Sequence, residues 1–209
     1  SIFGTSEFAL RFPFVVFGTL SILLLFLLGK KWYSREAGLF AAIFLAFLYF
    51  PVINSIFARP YSVGVFVCLL LLRFWFDILF DKKANWKQVV GLGICYALAM
   101  YMHYFLFVCI AVIGVVGLFF LNKSNFKLYL RAALIGIVCF VPHIAVTYYH
   151  LSVGGLEWLA PPGGLWLFDF LFYAFNSEWI LMTVLLLLIV LGVFSKRTYK
   201  AYNLQVTYV

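Results

Sequence analysis

The chain has few charged residues for its length. Charged side chains make up 11% of the 209 residues and only 7 of them are acidic, whereas 67% of the residues are hydrophobic. The mean hydropathy is +1.11. Soluble domains carry roughly a quarter charged residues, so these side chains cannot cover the surface of a soluble fold of this size. The composition therefore excludes a soluble enzyme, a nucleic-acid-binding domain and a disordered segment.

Paired cysteines and a leader segment are also missing. Cys68, Cys95, Cys109 and Cys139 each stand alone in an apolar run, with no C-x-x-C pair and no histidine at metal-ligand spacing. This pattern predicts small buried thiols and no metal site. The chain starts at Ser1 without a charged segment followed by a short apolar one, as a signal peptide would have. We therefore expect either a processed chain or a piece of a longer one.

Long apolar runs are abundant instead. Several are about as long as a membrane-spanning helix, which needs roughly 20 residues. They cover residues 12–28, 37–53, 61–80, 89–121, 128–149 and 179–194. The sequence therefore predicts an all-α fold that crosses a membrane several times.

The basic residues indicate which side of the membrane each connection occupies. Twelve of the 15 lie in four clusters between the apolar runs: Lys30, Lys31 and Arg35; Lys82, Lys83 and Lys87; Lys123, Lys127 and Arg131; Lys196, Arg197 and Lys200. Loops rich in lysine and arginine stay on the cytoplasmic side. The net charge of +8 is then a signal of topology rather than of an anionic partner such as nucleic acid.

Two cytoplasmic clusters must be joined by an even number of crossings. As one helix, the run at 89–121 would extend about 50 Å, beyond a hydrocarbon core of about 30 Å, so we predict two short helices with a turn at His103. A turn at that depth requires protein or a wet cavity around it. The resulting fold is a single domain over 1–209, a transmembrane helical bundle of about seven spans, with residues 1–11 outside and the C terminus inside.

Two further connections follow from the same rule. Residues 54–60 should form a short external link between the second and third spans. Residues between 149 and 179 should form an external excursion, with an interfacial helix at 166–175 that turns Asp169 to water.

The external link contains a candidate binding residue. Pro60 fixes the backbone and keeps Arg59 out of the helical region. A guanidinium held in this turn can bind a phosphate through two parallel donors, and Tyr61 adds a hydroxyl beside it. An interfacial arginine that contacts lipid headgroups or an acidic loop residue is the alternative.

Two other groups of residues leave alternatives open. His103 and Tyr104, at the submerged turn, can meet a headgroup, a proton or a substrate, or the histidine can be satisfied by the backbone. Arg73 lies four residues before Asp77, on one helix face, which favours a structural pair over a site.

Four short segments resemble a known family. They are EFALRFP at 7–13, GLFAA at 38–42, ARPY at 58–61 and YMHYF at 101–105. Their order is similar to that in family 39 membrane glycosyltransferases of the GT-C superfamily, which are related to dolichyl-phosphate-mannose-protein mannosyltransferases and aminoarabinose transferases. The resemblance covers about residues 1–125.

The resemblance implies a GT-C-like enzyme that moves a sugar from a polyprenyl-phosphate donor to an acceptor, with inversion. The reaction would take place on the extracytoplasmic face of the cell membrane. Arg59 and Tyr61 would face the donor phosphate, and His103 and Tyr104 would line the same cavity. Cations or a divalent metal would stabilise the leaving phosphate, which leaves the cofactor undetermined.

In such enzymes an acidic residue of the first external loop is the general base. We expect that loop upstream of Ser1, so no residue of this chain is assigned as catalytic, and the piece by itself is expected to be inactive. The expected partners are membrane lipids and the lipid-linked donor. Two alternatives remain, a transporter or flippase for an anionic lipid-linked substrate and a non-catalytic membrane subunit.

Overall fold

A computed structural model describes residues 6–81, 83–153, 161 and 163–194. The first half of this described part forms α1 (Glu7–Trp32), α2 (Arg35–Phe47), α3 (Tyr49–Ile56), α4 (Tyr61–Phe80) and α5 (Trp86–Met102). The second half forms α6 (Tyr104–Leu118), α7 (Phe126–Phe140), α8 (Ile144–Val153), α9 (Trp166–Ala174) and α10 (Trp179–Phe194). A 3₁₀ turn at Val141–His143 joins α7 to α8. The described chain has no strand, which confirms the all-α fold.

Local sequence signals explain where several helices start. The Ser6 hydroxyl accepts a hydrogen bond from the Ala9 amide at the start of α1, and the Ser34 hydroxyl does the same for Ala37 in α2. Asn85 and Gln88 form a capping box at the start of α5. These side chains satisfy amide groups that a helix cannot pair internally, so each helix begins where the sequence provides an acceptor.

The second predicted span is broken rather than continuous. The axes of α2 and α3 differ by 58°, with the break at Leu48. Pro51 explains it, because proline has no amide hydrogen and its ring clashes with the carbonyl four residues earlier, that of Phe47. The predicted external link is also shorter than residues 54–60, since α3 continues to Ile56.

The long run at 89–121 divides as predicted. One helix, α5, ends at Met102 and the next, α6, begins at Tyr104, with His103 between them in an extended conformation. With 17 and 15 residues, these helices are about 25 and 22 Å long, each shorter than a hydrocarbon core.

The predicted external excursion between residues 149 and 179 is only partly described. Helix α9 at Trp166–Ala174 confirms the predicted helix, and Asp169 is exposed on it. It meets α10 at an angle of 98°. The first part of the excursion, at 154–160, and the last basic cluster, at 196–200, lie outside the described residues, as does Lys82.

The core lies where α4, α5 and α7 pack together. Its fully buried side chains include Leu71, Leu92 and Ala132, one from each helix. At the other side of the bundle α1 and α2 cross closely: a Cβ atom on Gly29 would lie 2.5 Å from the Cα of Gly38. Small residues at such crossings let helix backbones approach in a membrane, where apolar burial alone does not drive association.

One buried carboxylate connects two helices outside the core. The Asp77 side chain is 7% exposed and lies 3.4 Å from Arg73 Nε, as the predicted spacing requires. Lys31 of α1 adds a second cation, with its Nζ atom 2.5 Å from Asp77 Oδ1. Lys31 was expected only as a cytoplasmic topology signal, and it also joins α1 to α4.

The helices support a membrane bundle of the predicted class. Within the described ranges, three segments, α1, α4 and the α7–α8 unit, are long and apolar enough to cross a membrane, and the count rises to five if each bent pair is one span. Helix α6 is apolar but shorter. The prediction of an all-α membrane bundle is confirmed, whereas the number of seven spans stays a prediction.

Candidate functional site

A cavity of about 860 Å³ opens between α1, α3, α4 and α6. Most of its walls are apolar, including Val15, Phe50, Val65 and Leu106. Gly18 lets α1 and α3 approach closely at its edge, since an added Cβ would lie 2.8 Å from the Cβ of Ser55. The cavity is thus a groove suited to an apolar ligand, with a small number of polar side chains in its lining.

Arg59 is the cation of this cavity. The turn that carries it is held by a hydrogen bond from the Arg59 amide to the Phe57 carbonyl, 2.8 Å long, and Pro60 follows with φ of −69°. The Arg59 side chain is exposed and forms no ion pair among the residues that the structure describes. Its guanidinium donors therefore remain available to a ligand.

Two helix N termini adjoin the same cavity. Helix α4 begins at Tyr61 and has no side-chain cap, while α6 begins at Tyr104, directly after His103. Arg59, Tyr61 and His103 all line the cavity. Because unpaired amides and the helix dipole favour negative charge at an N terminus, both helix ends add to the attraction that Arg59 exerts on an anion.

His103 combines a structural contact with a donor that has no partner among the residues the structure describes. Its Nδ1 atom accepts a hydrogen bond from the Phe105 amide, 3.2 Å away, and so caps α6. A neutral imidazole that accepts at Nδ1 carries its proton at Nε2, and that N–H is the donor of the ring. The ring centroid lies 5.8 Å from that of Tyr61. His103 can therefore accept a hydrogen bond from the backbone and donate one to a ligand at the same time.

Most other polar side chains of the cavity already have partners within their own helices. The hydroxyls of Thr19, Ser21 and Ser55 and the amide of Asn54 donate to backbone carbonyls three or four residues earlier. Ser62 differs: its Oγ atom is buried and has no hydrogen-bond partner in the described part of the chain. A buried hydroxyl without a partner is unfavourable, and Ser62 lines the cavity, so rotation of its side chain towards a bound ligand would supply that partner.

Sequence reasoning missed Ser62. Ser62 follows Tyr61 in the first turn of α4, which has no side-chain cap. That position is the sequence signal that could have identified it. Serine is common in apolar spans, however, and only the three-dimensional contacts distinguish it from Ser21 or Ser55.

Tyr104 does not join the other predicted site residues. Its hydroxyl lies 2.7 Å from Nδ1 of His150 on α8, and Tyr104 is not among the residues that line the cavity. His103 is extended and precedes α6, whereas Tyr104 is the first residue of that helix, so their side chains point in different directions and meet different neighbours. The structure thus brings three of the four predicted residues together and places the fourth against α8.

A smaller cavity of about 430 Å³ adjoins the first at Val15. It contains Glu7 and Arg11, whose carboxylate and guanidinium are 2.6 Å apart. This ion pair at spacing i,i+4 agrees with a structural role for Glu7 at the start of α1. The described residues include no group of three or more His, Cys, Asp or Glu side chains that is arranged to hold a metal ion.

Comparison with known proteins identifies the chain's relatives. The family model described as dolichyl-phosphate-mannose-protein mannosyltransferase matches residues 1–146, which include every residue that lines the main cavity. No curated protein and no solved structure matches the chain. The match covers more than half of the sequence, and it agrees with the all-helical membrane fold. The chain therefore belongs to the dolichyl-phosphate-mannose-protein mannosyltransferase family and is a GT-C-like membrane glycosyltransferase.

Proposed function

We propose that this glycosyltransferase takes its sugar from a polyprenyl-phosphate donor bound in the main cavity, and passes it to an acceptor on the extracytoplasmic face of the cell membrane. The observation that carries the proposal is the composition of that cavity. Its walls are apolar, as a prenyl chain requires, while Arg59, Tyr61, Ser62 and His103 supply donors beside two helix N termini.

These groups suit the charge that develops during transfer. The acceptor hydroxyl loses its proton to a general base as its oxygen attacks the anomeric carbon, and the bond from that carbon to the phosphate oxygen breaks. The leaving phosphate gains negative charge as this bond lengthens. Donors that surround this phosphate lower the energy of that transition state more than that of the bound phosphodiester, which carries only one negative charge. Arg59 can bind two phosphate oxygens at once, and the Ser62 hydroxyl and His103 Nε2–H add single hydrogen bonds.

The orientation of the helices supports an extracytoplasmic site. Lys30 and Lys31 lie in the last turn of α1, and Lys87 lies at the start of α5, whereas Arg59 precedes α4 and His103 follows α5, at the opposite ends of those two helices. Because lysine-rich ends stay in the cytoplasm, Arg59 and His103 would face the other side of the membrane.

Replacement of Arg59 tests the donor site. In the full-length protein in lipid nanodiscs, Arg59→Ala should lower the rate of sugar transfer from a radiolabelled polyprenyl-phosphate donor about 100-fold, as expected for a lost charge-stabilising donor. Arg59→Lys should retain part of the rate, because it keeps the charge but not the bidentate geometry.

Arg131→Ala is the matched control. Arg131 is exposed on α7 and is not part of the cavity. Its replacement should leave the rate within a factor of about two, in line with surface substitutions generally. Wild-type turnover in Arg59→Ala would contradict the phosphate-binding role of Arg59. Movement of donor across liposome membranes without a new covalent product would instead favour a flippase.

A further inference from the structure

The turn between α9 and α10 contacts the break in the second span. Asn176, in this turn, accepts a hydrogen bond at Oδ1 from the Tyr49 amide and donates one from Nδ2 to the Phe47 carbonyl, 3.3 Å away. The two backbone groups flank Leu48, where α2 ends and α3 begins. A single side chain therefore bridges both sides of the helix break, from a position 127 residues later in the chain.

Both backbone groups need an outside partner. In an unbroken helix the Phe47 carbonyl would accept from the amide of residue 51, but Pro51 has no amide hydrogen. Leu48 has an extended ψ of 132°, which separates the Tyr49 amide from the carbonyl four residues before it. Leu48 is the N-cap of α3 and has no polar atom in its side chain, so α3 has no cap of its own.

The depth of the break makes these contacts necessary. Helix α2 starts beside the cytoplasmic Arg35 and rises about 20 Å over its 13 residues, which places Leu48 within a hydrocarbon core of about 30 Å. Water is not available there to satisfy free amides and carbonyls.

The local structure suits asparagine at this position. Asn176 has φ of 63°, in the left-handed region that asparagine adopts more readily than most other residues. Its amide has one acceptor and one donor end, so one orientation satisfies both backbone groups. Aromatic edge contacts hold the two elements together: the rings of Tyr173 and Tyr49, and of Phe170 and Phe50, have centroids 5.8 and 5.7 Å apart.

We propose that Asn176 is a positioning residue for the cavity. By satisfying the two groups at the break, it fixes α3, which supplies one wall of the cavity through Phe50, Pro51, Asn54 and Ser55. It acts through α3 and does not touch the cavity itself. The inference rests on the proposed function only for the identity of the ligand. Asn176 lies beyond residues 1–146, which match the family model.

The test compares two glycine substitutions in the full-length protein in nanodiscs. Asn176→Gly removes the amide and keeps the left-handed backbone accessible. Ser177→Gly is the matched control, because Ser177 also has a positive φ, 55°, but lacks these contacts to α3. Hydrogen exchange of the Tyr49 amide and of the rest of α3 should become about tenfold faster or more in Asn176→Gly, the range expected for a lost cap, and stay unchanged in Ser177→Gly.

Donor kinetics provide the second readout. Asn176→Gly should raise the KM for a polyprenyl-phosphate-linked sugar about tenfold while kcat changes less, because a displaced wall weakens binding throughout the reaction. Asn176→Asp keeps the acceptor for Tyr49 and loses the donor to Phe47. It should fall between wild type and Asn176→Gly, and it replaces the glycine variant if that chain fails to insert.

Each outcome bears on a separate claim. Unchanged exchange in α3 would overturn the contact between Asn176 and the break. Faster exchange with an unchanged KM would overturn the positioning role. Absence of transfer from the polyprenyl-phosphate donor by the wild-type protein would contradict the proposed function instead, and exchange across α3 would still decide whether Asn176 fixes that wall.

Discussion

At the scale of single residues, hydrogen-bond partners distinguish the candidate ligand contacts from ordinary polar residues of a membrane helix. Ser21 and Ser62 are both buried and both line the main cavity, but the Ser21 hydroxyl donates to the Phe17 carbonyl, 2.8 Å away, whereas Ser62 Oγ has no partner among the described residues. Since an unpaired hydroxyl loses its hydration without compensation, a ligand atom is the expected partner of Ser62.

Ser62→Ala tests this assignment. Without ligand, the substitution should leave the thermal unfolding temperature unchanged or slightly higher, because it removes a buried group that has no partner. The affinity for polyprenyl monophosphate should fall about fivefold, the equivalent of one hydrogen bond of about 1 kcal/mol. Thermal unfolding in nanodiscs with and without this lipid measures both effects.

Ser21→Ala provides the contrast, since it removes a hydroxyl that already has a partner. We expect it to lower the unfolding temperature and to change the lipid affinity less than Ser62→Ala does. A larger loss of affinity in Ser21→Ala than in Ser62→Ala would reverse the assignment.

At the scale of helices, the cavity depends on contacts that hold α1, α3 and α4 in register. Asp77 of α4 forms an ion pair with Lys31 of α1, and it forms a second ion pair with Arg73 of its own helix. The two cations are 40% and 41% exposed, so they can extend towards water if the carboxylate is lost. Loss of the Asp77 carboxylate should therefore lower the free energy of unfolding less than the loss of one partner of a fully buried ion pair does.

Asp77→Asn is expected to lower the free energy of unfolding by about 1–2 kcal/mol, because it removes two charge-assisted hydrogen bonds while the cations keep partial access to water. Denaturant titration in mixed detergent micelles measures this change. Asp169→Asn is the control, since Asp169 is exposed on α9 and forms no ion pair within the described chain. Equal stability of the two variants would show that the Lys31 contact contributes nothing.

At the scale of the whole molecule, the arrangement of basic clusters requires α5 and α6 to cross the membrane separately. The loop after α6, which contains Ser124, would then lie in the cytoplasm, and the turn at Ala58 outside. If α5 and α6 together made one crossing, the Ser124 loop would lie outside as well.

Cysteine labelling of intact cells distinguishes the two arrangements. A membrane-impermeant maleimide should label Ala58→Cys on intact cells and Ser124→Cys only after permeabilisation, because the reagent does not cross the bilayer. The parent chain measures any background from the four native cysteines, which lie within helices. Labelling of both variants on intact cells would contradict the prediction of seven spans.

Much of the fold follows from local sequence. The helix break at His103 was predictable because a run of 33 apolar residues is too long for one crossing, and the basic clusters require two. The break at Leu48 was missed, although Pro51 carried a signal for it, because the apolar run continues through the proline without interruption.

The sequence by itself determined the apolar spans, the cationic connections and the turn that holds Arg59, because each depends on neighbours within a few residues. Only the tertiary structure decided that Ser62 lacks a partner, that Lys31 reaches Asp77 and that Asn176 bridges the break at Leu48. These contacts depend on how the helices cross. Packing brings Tyr49 and Asn176 together although they are far apart in the sequence, and a periodic sequence pattern carries no information on such pairs.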